Sequence, residues 1–382
     1  MTKPHTRALP IPRILHTQCP NHRCTLAEQE FVVERQDKDL GFLLRFENVA
    51  WYDSGSVRIL DRRVYPGTVQ FVGCTQHEEV AQAIADMVTQ SAGPYTAASM
   101  GMALACYEVR DRPQAEQIES LTKAAHTLSH ARPTTINRMA LITEGCLDVA
   151  KAALEEGRAA DEAVLDHTVN SMNRRYAKIS QVAEYLVSLW PQNATVMTQC
   201  YGETIVGTML REAKNKGKAV KLFCPETRPF LQGARLTASV ANDQGFDVTV
   251  ITDNMPATVM ATKGVDIFTS AADSICRDGH IVNKVGTLQI ALVARHFGVP
   301  YFVTGIPDKE LLTIDTVRIE ERDPTEALSF NGIRNTADGV KGYYPAFDVT
   351  PPGLVSAVVT DKGPFAALDL NRYFALSDTA YW

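Results

Sequence analysis

Two side chains capable of acid-base chemistry stand at the ends of apolar runs in the second half of the chain. Cys200 follows Thr195-Val-Met-Thr-Gln199 and precedes a helical pattern. A sulfur placed there sits near backbone N–H groups and a helix amino end, which favours thiolate and suits a base or nucleophile. The plainer reading is a buried thiol in a strand-to-helix turn. Asp273 closes the run Val265 to Ser270 among small apolar residues. That setting raises a carboxyl pKa toward useful acid strength, although a helix-capping aspartate is the alternative.

Anion-binding groups lie nearby in sequence. Asn283-Lys284 precedes Val285-Gly286-Thr287 and a helical stretch, offering an ammonium, an amide and free backbone N–H groups to a phosphate. A solvated lysine at a helix start is the competing reading of Lys284. Arg132-Pro-Thr-Thr and Thr227-Arg-Pro-Phe-Leu-Gln-Gly-Ala-Arg235 add guanidinium groups and Gln232 near expected helix starts. For Arg228 and Arg235, salt bridging competes with a phosphate clamp. Neither a Walker lysine-serine loop nor a strand-linked Gly-x-Gly-x-x-Gly is present, so nucleotides and dinucleotides lose their usual support. His16, Cys19, His22 and Cys24 crowd together without a second ligand couple, and we expect no metal there.

The elements that must position these groups follow from periodicity. Short apolar strands are expected at Thr195 to Gln199, Val220 to Cys224, Val248 to Thr252, Val265 to Thr269 and Pro300 to Thr304. They alternate with helices expected over Glu203 to Lys216, Gln232 to Gln244, Pro256 to Lys263 and Gly286 to His296. Such alternation implies an α/β fold with a mainly parallel sheet and a ligand beyond the strand tips. Upstream, His77 to Leu189 reads as helical, with separate helices at Asp161 to Met172 and Ile179 to Trp190. Two strands, Val57 to Arg63 and Thr68 to Cys74, flank a Tyr65-Pro-Gly turn. Three parts are expected: an irregular extension over 1–46, a helical domain with a small sheet over 47–190, and a Rossmann-like domain over 191–382.

Composition narrows the function. Net charge is -6 with basic residues scattered, which argues against nucleic acid, and no apolar run is long enough to span a membrane. The eight cysteines form no compact framework, as expected for a reducing cytoplasm. A small-molecule ligand fits best.

Four segments carry a resemblance: Glu226-Thr-Arg-Pro-Phe-Leu-Gln-Gly-Ala-Arg-Leu-Thr-Ala238, Ile251-Thr-Asp-Asn-Met255, Ala272-Asp-Ser-Ile-Cys-Arg-Asp-Gly-His-Ile-Val-Asn-Lys-Val-Gly-Thr287 and Pro345-Ala-Phe-Asp-Val-Thr-Pro351. With them, the stretch from about Val57 to Gly363 resembles the family that joins methylthioribose-1-phosphate isomerase, ribose-1,5-bisphosphate isomerase and the regulatory subunits of translation initiation factor 2B. The resemblance implies a helical amino-terminal domain, a Rossmann-like domain, a homodimer and a sugar phosphate substrate with no cofactor. It implies catalytic roles for Cys200 and Asp273, a pair that the isomerases carry and the initiation-factor subunits generally lack. Asp273 would act as acid at the ring oxygen and Cys200 would move the C2 proton, as in methionine salvage, with a hydride shift as the other route.

By the same resemblance, phosphate contacts fall to Arg132, Gln232, Asn283, Lys284 and the loop Gln90-Ser91-Ala92. That loop departs from the isomerases' Arg-Gly-Ala-Pro, and losing its arginine removes a contact worth about 1.5–3 kcal/mol unless something replaces it. Cys-Asn-Ala-Gly has become Cys200-Tyr-Gly-Glu203, placing next to the thiol a carboxylate expected to repel phosphate. These changes leave two alternatives open. One is an isomerase of another modified sugar phosphate, suited to Gln90, Tyr95, Tyr201 and Glu203. The other is a non-catalytic sensor or initiation factor 2B-like subunit.

Overall fold

The computed structural model describes residues 35–132 and 136–376. The His16 to Cys24 cluster lies outside them. From Arg35 onward the chain forms one compact unit. Leu40, Leu43, Leu44 and Phe46 are buried in its core, so the irregular extension expected up to 46 does not reach that far. The helix α1 (Phe46–Val49) leads into a three-stranded antiparallel sheet, β1 (Ala50–Asp53), β2 (Ser56–Leu60) and β3 (Phe71–Cys74). The turn expected at Tyr65-Pro-Gly is present, within a longer connection over 61–70 that joins the antiparallel β2 and β3.

Five helices follow: α2 (His77–Ala85), α3 (Gly93–Val109), α4 (Gln114–Ser129), α5 (Ile136–Glu155) and α6 (Ala160–Ser188). α3 is buried on nearly every side, with small residues along its length that let its neighbours close in. The two helices expected within 161–190 are one continuous helix, because no Gly or Pro interrupts the run between them.

The second half carries β4 (Asn193–Met197), α7 (Thr204–Asn215), β5 (Ala219–Pro225), α8 (Ala238–Asp243), β6 (Asp247–Ile251), α9 (Pro256–Lys263) and β7 (Ile267–Ala271). It continues through β8 (Ser274–Ile275), β9 (Ile281–Lys284), α10 (Thr287–Phe297) and β10 (Tyr301–Thr304). Last come the small ribbon β11 (Ser329–Phe330) and β12 (Ile333–Arg334), then β13 (Phe347–Thr350), β14 (Ala357–Thr360) and β15 (Gly363–Phe365). The fold is α/β, as expected. Seven strands run in the order β15-β14-β10-β7-β4-β5-β6, all parallel except β15. The strand period of two divides their side chains between two cores: Val196, Ile267 and Val359 face one, Met197, Phe268 and Val358 the other.

This strand order matters for the site. From β4 the chain steps outward to β5 and β6, then returns to place β7 on the other side of β4. In open parallel sheets a crevice forms outside the carboxyl ends where the order reverses. Here it lies beyond β4 and β7, the strands that lead to Cys200 and Asp273. A further antiparallel sheet, β13-β9-β8, joins this end where the Asp273 N–H donates to the Val282 carbonyl of β9. Among the described residues no helix is long and apolar enough to cross a membrane.

Candidate functional site at the strand-order reversal

Cys200 leaves β4 with φ of 60°, and its backbone is pinned on both sides. Its N–H donates to Thr227 Oγ1 at 3.2 Å, and the Thr237 hydroxyl donates to its carbonyl. Sγ donates to Gln232 Oε1 at 3.3 Å, and Gln232 Nε2 donates to Gln90 Oε1 at 3.0 Å. Three expected site residues thus form one hydrogen-bonded chain. Gln232 can take this place because a π turn, Gly233–Thr237, starts directly against β5. A Cβ on Gly233 would lie 1.9 Å from the Pro225 carbonyl oxygen, so only glycine allows that approach. Ser91, Cys200, Glu203, Thr227 and Leu231 all hold φ between 53° and 63°, a concentration of backbone strain typical of functional sites.

Asp273 lies just past β7, its N–H bonded to the Val282 carbonyl at 2.9 Å. It is reachable by solvent within the crevice, yet protein closes around it at longer range. This desolvation pushes its carboxyl pKa up, against the pull of Lys284, Arg132, Arg322 and Arg138. Lys284 is buried at the end of β9, opposite Phe347 of β13, and its Nζ stands 4.8 Å from that ring's centroid. Desolvation lowers its pKa while Cys200 and Asp273 oppose the fall. Burial pushes the Cys200 thiol up to about 11, with Lys284 pulling it down and Asp273 adding to the rise. The thiolate expected from a strand-to-helix turn is therefore disfavoured: burial is the largest influence on the sulfur, which donates to Gln232 as a thiol does.

The remaining expected residues sort into two groups. Arg132 acts electrostatically on Asp273, so it belongs with the cluster, while the following Pro133, Thr134 and Thr135 lie outside the described residues. Ser91 and Ala92 are adjacent but turned to protein: the Ser91 hydroxyl donates to the Tyr201 carbonyl at 2.8 Å, and the Ala92 N–H to Glu203 at 2.6 Å. Asn283 Nδ2 donates to Thr287 Oγ1 at 3.0 Å. The helix start at α10 is not open to an anion, because the Gly286 and Leu288 N–H groups both donate to the Asp348 carboxylate. Arg228 donates to the Ser329 and Glu326 carbonyls, and Arg235 to the Arg62 and Arg63 carbonyls, so both are held by backbone oxygens.

Glu203 overturns the expectation of repulsion. It is buried and paired with the wholly buried Arg62 at 3.1 Å, and Arg62 also donates to the Gln90 carbonyl at 2.6 Å. The pair neutralises the carboxylate and ties the Cys200 turn to the Gln90-Ala92 loop. Tyr201 is likewise buried, with Arg62 5.8 Å from its ring centroid, so neither residue offers a polar group to a substrate.

The model of the initiation factor 2 subunit family matches residues 90–367. The chain belongs to this family. It is 34% identical over 345 residues to methylthioribose-1-phosphate isomerase of Desulforamulus reducens, covering 84% of this chain and 96% of the relative. It is 36% identical over 327 residues to 5-deoxyribose 1-phosphate isomerase of Moorella thermoacetica, covering 82% and 93%. Among solved structures, 5-methylthioribose 1-phosphate isomerase from Pyrococcus horikoshii OT3 matches with a TM-score of 0.77 at 28% identity, covering 86% of this chain and 96% of that one. Subunit delta of translation initiation factor eIF-2B from A. fulgidus matches at 0.73 and 30%, covering 84% and 96%. Within the family, this chain is an enzyme of the isomerase class.

Sequence reasoning missed two of this family member's site groups. Arg62 carries no local signal, since its partner lies 141 positions away. Arg322 sits in a stretch without periodicity, yet it acts on Asp273, Lys284 and Arg132 together.

Proposed function

We propose that this isomerase converts an aldose 1-phosphate, 5-methylthioribose 1-phosphate or 5-deoxyribose 1-phosphate, to the corresponding ribulose 1-phosphate. The names of its relatives support the substrate class, and methionine salvage is the setting that the first of these substrates implies. The observation that carries the reading is the convergence of Cys200 and Asp273 at the strand-order reversal, with Lys284 acting on both.

The 1-phosphate blocks ring opening through the anomeric oxygen, so the ring oxygen must accept a proton as its bond to C1 breaks. Asp273, whose carboxyl pKa is raised in the direction that suits an acid, supplies that proton. The electron-poor C1 then draws on the C2–H bond. In one route Cys200 accepts the C2 proton, leaving an enol phosphate, and returns it to C1 while the Asp273 carboxylate takes the C2 hydroxyl proton. In the other, hydrogen moves from C2 to C1 with its electron pair and Asp273 again takes the hydroxyl proton. A resting thiol at about 11 favours the second route, in which Cys200 lines the reacting carbons without ionising. Lys284 and Arg132 hold the phosphate, and a homodimer belongs with the same reading.

NMR of purified protein with both sugar phosphates in deuterium oxide tests this, with Cys200→Ala and Asp273→Asn alongside. We expect turnover by the unmodified protein, its loss on removing Asp273, and no solvent deuterium at C1. Deuterium at C1 sinks the hydride route; absence of turnover on either sugar sinks the reading.

A further inference from the structure

The Gln90-Ala92 loop contains no cation, and two of its donors are taken by Glu203 and Tyr201. A phosphate in this crevice therefore needs guanidinium chemistry from elsewhere. Three successive pairings deliver one. Lys284 of β9 stands opposite Phe347 of β13. Just before β13, the Ala346 N–H donates to the Glu320 carbonyl at 2.8 Å, the Arg322 N–H to the Tyr344 carbonyl at 3.0 Å, and Glu321 bridges Pro345. This antiparallel continuation carries Arg322 to the ring that already holds Lys284. Its guanidinium carbon lies 5.9 Å from the Phe347 centroid and 5.6 Å from that of Phe230. Phe230 belongs to the turn that supplies Gln232. Arg322 thus stands between the Cys200 side of the site and the Lys284 side, braced by two aromatic faces.

The charges point the same way. Arg132, Arg138, Lys284 and Arg322 all act on Asp273, and two of them also meet carboxylates, Arg138 at Asp308 and Arg322 at Glu320. Glu320 accepts from Nε at 2.9 Å and Nη2 at 3.4 Å, one side of the fork, and the Tyr344 side chain also acts on the guanidinium. Arg322 also disfavours the charge on Lys284 and Arg132, a like-charge convergence that a dianion relieves.

We propose that Arg322 is a substrate-binding residue that holds the phosphate monoester dianion jointly with Lys284 and Arg132. This rests on the sugar-phosphate reading above, but its anion chemistry is testable without turnover. Calorimetry with inorganic phosphate is run on the unmodified protein, Arg322→Gln and Arg322→Lys, together with KM and kcat for 5-methylthioribose 1-phosphate and melting curves. Arg322→Gln is expected to weaken phosphate binding and raise KM about tenfold to a hundredfold, with a smaller fall in kcat and a native melting curve. Arg322→Lys, which keeps the charge but not the fork, is expected to lose severalfold. It decides the matter if the glutamine variant does not fold. Phosphate affinity equal to that of the unmodified protein in the folded variants overturns the proposal, as does absence of phosphate binding by the unmodified protein. A protein that binds phosphate through Arg322 but turns over neither sugar sinks the substrate reading and leaves the anion site standing.

Discussion

The buried Arg62–Glu203 pair gives the sharpest quantitative expectation. Both side chains are all but inaccessible, with Arg62 at 0% and Glu203 at 2% exposure, so water screens neither charge. Glu203→Gln keeps an acceptor for the Ala92 N–H but strands the guanidinium, and breaking such a pair costs about 3–5 kcal/mol. With an unfolding entropy on the order of 0.7 kcal/mol/K for a unit of this size, Tm should fall by about 4–7 °C. The double variant Arg62→Met/Glu203→Gln removes both charges and should recover most of that loss. Urea unfolding of these two variants, of Arg62→Met and of the unmodified protein measures the cycle. Because the pair joins the Gln90-Ala92 loop to the Cys200 turn, kcat should fall in the single variant and return in part in the double. A Glu203→Gln protein within about 1 kcal/mol of the unmodified one would refute the reasoning, since an isolated buried guanidinium cannot be that cheap.

Two further expectations concern the supports of the site. Burial pushes Asp348 up to about 6 despite its bonds from Gly286 and Leu288, so its folded pKa lies above its ordinary value of 3.8. A raised folded pKa contributes stability that is complete below the unfolded value and lost as pH rises through the folded one. Relative to Asp348→Asn, the unmodified protein should therefore lose on the order of 1–3 kcal/mol between pH 4 and 7, read by urea unfolding at each pH; a flat difference removes the assigned cause. Gly233→Ala would force its new Cβ against the Pro225 carbonyl, with an expected loss of about 1–3 kcal/mol and a displaced Gln232. A variant with unchanged melting and unchanged kcat would show that the π turn does not set the Cys200–Gln232 bond.

Much of this fold is legible because local pattern encodes it. The apolar runs ending near Gln199, Cys224, Thr252, Ser270 and Thr304 are the parallel strands β4, β5, β6, β7 and β10, displaced by a residue or two at their ends. Strand period and turn chemistry are properties of neighbouring residues, so they survive without knowledge of the rest of the chain. For the same reason Cys200 and Asp273 could be marked as polar tips of apolar strands. The short strands β8, β9 and β13 were not legible, because each is only two to four residues long and is stabilised by partners far away.

What the sequence by itself determined is thus the set of strands and helices and the polar groups at their ends. Only the tertiary structure decided which ends meet. Strand order places β7 beside β4, which brings Asp273 to Cys200 and leaves the tip of β6 at an edge. The β9–β13 register delivers Lys284, and the pairing that continues it delivers Arg322. Glu203 reads as a hazard to phosphate until Arg62 arrives from 141 positions away. A charge's effect depends on its solvation and its counter-charge, and both are set when the whole chain packs rather than by the residues beside it.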